Sequence, residues 1–427
     1  MSTTNRRLGL AVTATAVALV LAACGGGGFD DDGGSTDAAT DSTATTDGGD
    51  SGTDEGSGSG LDILIASSGD AETAAVQDAV AAWSASSGVE ASVRVASDLN
   101  QELAQGFAAG TPADIFYVST DAFPGLAANG SIKAYFDELG NKADFYPTLV
   151  DSFTYDGTPY CAPKDFSTLA LVINDDQWAA AGLTEADYPT DWASLKTVAE
   201  KLATGESTAL SFGPEWQRIG TFMAQAGGTL VEDGAAVVDS PANTEALTYV
   251  KDLMSAGLVR YPADIGAGWG GEAFGTGAAA MTIEGNWIVG AMKANYPDVS
   301  WTAIELPSGS AGKGTLQFTN CWGIATDSDQ QADAVELVEF LTSAEQQMAF
   351  ANAFGVMPSI STVADEWKTA FPEQEAFLAG ADYAQGVPPV QGIADVLSDF
   401  NSQLETLSST DPATILTSVQ GNLQAIL

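Results

Sequence analysis

Between residues 61 and 119, short β-prone apolar runs take turns with segments of helical period, and that alternation restricts the chain to few folds. LDILIA at 61–66 is the first run. AETAAVQDAVAAWSASSG then sets Ala75, Val76, Val80 and Trp83 at helical spacing, with Gly88 closing the helix. VEASVRVA alternates as a strand, LNQELAQGFAAG reads as a second helix and ADIFYVST as a third strand. Strands alternating with helices predict an α/β fold with a largely parallel sheet flanked by helices. The pattern resumes after residue 166, with STLALVIN as a strand and TDWASLKTVAEKLA as a capped helix. The C-terminal third reads as mostly helical, including 329–350 and 391–407, and no fixed-period repeat is visible. Ligands of such open sheets sit at the carboxyl ends of the strands, where the loops gather.

Ahead of this body lies a different kind of sequence. The chain opens MSTTNRRLGL, with Arg6 and Arg7 its only early charges, and an apolar stretch runs from Leu8 to Ala23. A membrane-spanning helix needs about 20 apolar residues, so this shorter run after a basic start predicts a secretory signal over 1–23. Leu21-Ala22-Ala23-Cys24 resembles a bacterial lipobox. The resemblance implies that Cys24 is diacylated, becomes the first mature residue and anchors the protein by lipid to the outer face of the bacterial cytoplasmic membrane. An uncleaved anchor with an incidental cysteine is the plainer alternative. The residues around the Arg pair fit twin-arginine export poorly, which favours the general secretory route. Residues 25–60 hold only Gly, Ser, Thr, Asp, Ala, one Phe and one Glu, with nine acids and no base. Too little apolar surface is present to offset the entropy of ordering, so 24–60 is expected to be an acidic, disordered tether. Asp30, Asp31 and Asp32 lack the spacing of a calcium loop.

Residues 61–427 exceed what one core usually supports, and two lobes are expected. This body keeps 12 of the 14 bases and 48 of the 57 acids, a net charge of −36. Such a charge opposes binding to a polyanionic nucleic acid and is suited to steering cations. The chain contains no histidine, which removes Ser-His-Asp and Cys-His catalysis and imidazole-dependent zinc sites. No metal site or cofactor is expected. In an exported protein the two remaining cysteines, Cys161 and Cys321, suggest one disulfide, with two free buried thiols as the alternative.

Several longer blocks are more specific. TPADIFYVSTDAFPGLAANGSIKAYFDEL, YCAPKDFSTLALVIN, YPTDWASLKTVAEKL, FGTGAAAMTIEGNW and TNCWGIATDSDQQADAVELVEFLTSAEQQMAF follow one another over most of 61–360. In that order they resemble the extracellular solute-binding proteins of family 1, the sugar-binding components of ATP-driven importers; the last 60 residues match only loosely. The resemblance implies a type II two-lobe fold, with crossover strands joining the lobes around a ligand cleft. It places crossovers near 160–166 and 318–323 and a third within 370–385. The N-terminal lobe would comprise 61–163 plus 321–372, and the C-terminal lobe 164–320 plus 373–427. Cys161 and Cys321 then fall on adjacent crossovers, where they could meet.

A sugar presents hydroxyls at its edges and C–H groups on its faces, so its recognition calls for carboxylates, amides or guanidinium beside flat aromatics. Asp121, closing YVSTD, matches a family aspartate that accepts hydroxyl bonds, although it also suits a helix cap. Ser68 and Asp70 follow the first strand, at another family contact loop, and Asp165 lies just past the first crossover. GPEWQRIGTFMAQAGG supplies Glu215, Trp216 and Arg218. Trp287 in IEGNW matches the family's stacking tryptophan, while Trp269, Glu272 and Trp322 are lesser candidates. Core packing is the rival role for each tryptophan. Val118 stands where the maltose-binding members carry an aromatic, so maltose itself is not implied.

The implied function is capture of a carbohydrate, an oligosaccharide above all, by a monomer that closes over it and delivers it to ABC permease subunits with their ATPase. Two other classes fit the composition. One is a binding protein for a polyamine or another organic cation, which a cleft of unpaired acids would favour. The other is a glycosidase with paired carboxylates, a hydrolytic device that needs no histidine.

Overall fold

The computed structural model describes residues 60–203 and 207–427. The signal, Cys24 and all of the tether except Gly60 lie outside them.

Strands β1 (Leu61–Ile65), β2 (Ala91–Val95) and β3 (Ile115–Ser119) run parallel in the order β2-β1-β3. The helix Asp70–Ser87 joins the first two, burying Val76, Ala79, Val80 and Trp83 along one stripe and ending at left-handed Gly88 (φ 79°). Leu99–Ala109, capped by Asp98, joins the next two. This half follows the period of its sequence closely, because β1 and β3 are short apolar runs while the edge strand β2 alternates apolar with polar residues.

The middle of the chain is organised by two long strands. β4 (Ala162–Asn174) is 13 residues long and buried almost throughout. After it come β5 (Thr208–Ser211), β6 (Val259–Arg260), β7 (Ala279–Gly285), β8 (Trp301–Ile304), β9 (Thr315–Ile324) and β10 (Ala384–Gln385). The sheet reads β6-β5-β7-β4-β9-β3-β1-β2, with β8 added to β4 and β10 to β9. Over its first half β4 pairs antiparallel with β9, from Ala162 opposite Trp322 to Thr168 opposite Gln317. Over its second half it pairs with β7 and β8. The far half of β9 pairs with β3. β4 and β9 therefore tie the first parallel unit to everything that follows, and Cys161 and Cys321 are bonded where they lie side by side, with Cα atoms 5.7 Å apart.

Two large apolar cores result. The first gathers Ile63, Trp83, Phe116 and Tyr117 with Trp322, Leu337 and Trp367, and the second Leu210, Phe222, Leu247 and Met281 with Phe400 and Leu416. The pleat divides β4 between them, since Leu169, Leu171 and Ile173 face the second core while Ala170 and Val172 face the first. The first core is not confined to one lobe, since it takes in Phe274, Ile288 and Met292 along with Phe377, Leu378 and Ala381. The helices Ile393–Leu404 and Pro412–Gln424 do pack in the second. The helical stretch 329–350 is two helices, Gln331–Leu341 and Ala344–Phe354, because Ser343 caps a new start.

Candidate functional site

The sequence candidates fall into two groups, one on either half of β4. The first gathers around Glu72, which sits in the opening turn of the helix Asp70–Ser87 and is only 3% exposed. Its carboxylate accepts four bonds. Ser68 donates its backbone N–H and its hydroxyl to Oε2, each at 2.7 Å. The Tyr117 hydroxyl donates to Oε1 at 3.0 Å and Lys164 Nζ to the same atom at 3.1 Å. Lys164 also bonds Asp165 and lies 4.6 Å above the Tyr117 ring. Burial would raise the Glu72 carboxyl, but Lys164 and the Ser68 bonds hold it below its usual 4.5. Asp165 is pushed up, by burial first and against the pull of Lys164. Burial opposes charge on Lys164, yet Asp165 and Glu72 hold its ammonium above the usual 10.5. The group is a buried knot of one ammonium and two carboxylates that fastens the loop after β1 to β4, and Ser68 spends its hydroxyl proton inside it.

Asp70 and Asp121 are exposed and make no side-chain hydrogen bond among the described residues. The helix Phe123–Ala128 starts at Ala122 without a side-chain cap, so capping is not what occupies Asp121. The carboxylate stands open just past the carboxyl end of β3, where the α/β rule puts ligand contacts.

The second group is denser. Arg218, one turn into the helix Trp216–Gln225, donates from Nη2 to Glu284 Oε2 at 2.7 Å, and Trp287 Nε1 donates to the same oxygen at 3.0 Å. Glu284 lies on β7 at 1% exposure, and burial pushes its carboxyl up while Arg218 pulls it down. The guanidinium lies 5.3 Å from the Trp287 ring and 5.7 Å from that of Phe318, and the two rings meet edge to face at 4.9 Å. Each of the two partly exposed candidate tryptophans, Trp269 and Trp287, lies against a glycine. A Cβ on Gly285 would sit 2.2 Å from the Trp287 ring, and one on Gly271 2.0 Å from the Trp269 ring. Gly285 and Gly271 are thus what allow the two rings to approach the backbone so closely.

A cavity of about 390 Å³ opens beside this cluster, lined by Glu215, Arg218, Tyr261, Asp264, Trp269, Glu284 and Glu405. Glu215 Oε2 is buried there without a hydrogen-bond partner, and so is Arg218 Nε. Glu272 accepts from the Gly268 backbone at 2.6 Å and so shapes the loop that carries Trp269. Asp165 and Leu169, the latter paired with Gly285, are four residues apart on β4, so about 13 Å separates the two groups along the strand.

Two candidates are core residues instead. Trp216 is 4% exposed, in line with Ile219 and Met223 on the inward face of its helix. Trp322, at 1%, packs edge to face on Tyr117 inside the first core. Conversely, Glu72, Lys164, Glu284, Tyr261, Asp264 and Glu405 were not singled out from sequence. A signal existed for two of them, since a glutamate in AAMTIEG and a lysine in YCAPKDF are charges set in otherwise apolar strands.

Residues 78–377 match the family model of the bacterial extracellular solute-binding proteins. The chain belongs to that family. The family binds solutes outside the cell, and no helix among the described residues is long and apolar enough to cross a membrane. The diacetylchitobiose binding protein DasA of Streptomyces coelicolor is 24% identical over 308 residues, covering 70% of this chain and 69% of its own. Among solved structures, the cyclic α-maltosyl-1,6-maltose binding protein of Arthrobacter globiformis superposes with a TM-score of 0.77 at 21% identity, over 86% of this solute-binding protein and 98% of its own chain. The sugar-binding protein MalE of Xanthomonas citri does so with a TM-score of 0.76 at 18% identity, over 86% and 96%. These likenesses identify the fold as the two-lobed type II binding-protein fold.

Proposed function

We propose that this solute-binding protein captures a carbohydrate, an oligosaccharide above all, and hands it to the permease of an ABC importer. The observation that carries the reading is the Trp287–Arg218–Glu284 cluster. A partly exposed indole has its ring held in place while a guanidinium and a carboxylate are locked beside it. That pairing of flat face and fixed polar edge is what a pyranose requires. Relatives named for diacetylchitobiose and for a maltosyl-maltose support the same class of ligand. The lobes would be 61–163 with 321–372, and 164–320 with 373–427, moving about β4 and β9. Ligand touching Asp121 and Asp165 on one side and Trp287, Trp269 and Glu215 on the other would favour the closed form through its differential affinity. Binding also stabilises the fold by mass action. A thermal-shift screen of malto-, cello- and chito-oligosaccharides, followed by calorimetry, is therefore expected to raise the melting temperature with at least one of them. Stabilisation by spermidine or putrescine alone would replace the carbohydrate with an organic cation. Release of shorter sugars on incubation would make the protein a glycosidase.

Export chemistry belongs to the same reading. Lipidation at Cys24 would tether the body near its permease, and an oxidising exterior would keep Cys161 and Cys321 joined. So long a loop gives a stabilisation of roughly 5 kcal/mol in the chain-entropy account. Intact mass of the membrane fraction is expected to show a chain starting at acylated Cys24, and non-reducing peptide maps the linked pair. An unmodified chain retaining 1–23 counts against the first, free thiols at both positions against the second.

A further inference from the structure

Asparagine is among the residues that best cap a helix, its side chain accepting from a backbone N–H in the first turn. Asn174 does this, accepting from the Gln177 N–H ahead of the helix Asp175–Ala180. Asn286 precedes the helix Trp287–Asn295 and does not cap it. Its backbone is already helical, at φ −65° and ψ −13°, and its amide is turned elsewhere. Nδ2 donates to the carbonyl of Gly355 at 2.8 Å, 69 residues further on. The Asn286 backbone N–H donates to Ser167 Oγ at 3.0 Å. Both Asn286 and Ser167 are buried. Gly355 is the left-handed cap (φ 79°) that ends the helix Ala344–Phe354. Ser167 lies on β4 opposite Phe318 of β9, the residue whose ring Trp287 meets edge to face.

The helix that follows Asn286 packs on both cores. Ile288 and Met292 are buried in the first, while Trp287 packs against the second. The Glu284 bond fixes the indole edge of Trp287, but the Cα that carries the ring is set by the backbone just before it. Asn286 ties that backbone to β4 and to the turn after Phe354. Asp165 is two residues before Ser167 on the same strand, so the tether also sets where the ring stands relative to that carboxylate. A ring already ordered in the free protein need not be ordered by its ligand, which strengthens binding. Resting on the reading of Trp287 as a ligand-stacking ring, we infer that Asn286 is its positioning residue: the amide forgoes the cap of its own helix to hold the indole in register with β4.

The test reads the ring before any ligand is added. Each of the nine tryptophans gives one indole N–H signal in a proton–nitrogen NMR spectrum of the mature chain, and Trp287→Phe and Trp322→Phe identify theirs by removing them. Asn286→Ala is expected to shift or broaden the Trp287 signal and to leave that of Trp322, deep in the first core, in place. A merely structural role would lower the melting temperature without singling out one indole. Calorimetry follows with maltotetraose, cellotetraose and N,N′-diacetylchitobiose. Whichever of them the wild type binds should be weakened about five- to tenfold in Asn286→Ala, the range for one lost hydrogen bond. In a Trp287→Ala background the same substitution should cost nothing further, because it acts through the ring. Ser167→Ala removes the other tether and should move the same signal, which decides the matter if Asn286→Ala does not fold. An unmoved Trp287 signal in folded Asn286→Ala, or in Ser167→Ala where Asn286→Ala is unfolded, overturns the inference. So does an affinity loss that adds in full to that of Trp287→Ala. A shifted signal in a protein that binds none of the three sugars counts against the carbohydrate reading and leaves the positioning role standing.

Discussion

Lys164→Met is expected to lower the unfolding free energy by about 3–5 kcal/mol at neutral pH, the usual cost of removing one partner from a buried charge group. Glu72 and Lys164 have side chains only 4% and 8% exposed, and Asp165 15%. Without the ammonium, two carboxylates share a site that cannot hydrate them. The pH dependence carries a sign that separates this from a simple packing defect. In the wild type, Glu72 is held below 4.5, so its contribution is present above about pH 4.5 and lost as pH falls through its lower folded value. Lys164, held above 10.5, contributes fully below that and loses its contribution as pH climbs through its folded value. In Lys164→Met the Glu72 carboxyl would instead be raised, and that of Asp165, already pushed up by burial, would rise further, so the defect should be largest above their folded values and shrink on acidification. Urea denaturation at pH 7 and at pH 4 measures both. A loss below 1 kcal/mol, or the same loss at both pH values, would mean that the knot is solvated and weak. Replacing all three charges together, with Glu72→Gln, Lys164→Met and Asp165→Asn, should recover most of the stability, since an uncharged cluster has no unpaired ion to bury.

Trp287→Ala should weaken carbohydrate binding by about 2–4 kcal/mol, the range for an aromatic anchor, or one and a half to three orders of magnitude in Kd. The loss has two sources. The ring face disappears, and with it the Nε1 donor that helps to hold Glu284 in line with Arg218. Trp287→Phe divides them, keeping a smaller face and dropping the donor, so an intermediate affinity is expected. The residue is partly exposed and packs on Phe318, so the melting temperature of the ligand-free protein should fall far less than for a core tryptophan such as Trp322. Calorimetry with the oligosaccharide chosen by the thermal-shift screen decides the matter. Unchanged affinity, or collapse of the unliganded fold, would make Trp287 a packing residue and leave Trp269 as the aromatic of the site.

The architecture was largely legible in the sequence because its signals are local. Val76, Val80 and Trp83 announce their helix by spacing alone, and 61–119 spells out a parallel unit with no need of the rest of the chain. The order of the longer blocks was enough to imply the family and the two-lobed fold, and an apolar strand ending at Asn174 was visible as such. What the site contains was decided by tertiary structure. Trp216 and Trp287 each open a helix, and nothing in their neighbours says that one turns inward with Ile219 while the other lies across Gly285. Arg218 meets Glu284 across 66 residues, and Glu215 and Glu405 reach one cavity from 190 residues apart. Such pairs leave no periodic trace. The pleat of β4 adds a further level, since its alternate residues serve different cores and its two halves take different partners. Secondary structure follows from each residue's immediate neighbours and so is written along the chain. Charge pairing and ring exposure depend on which distant surfaces the crossing strands bring together, and only the folded chain specifies that.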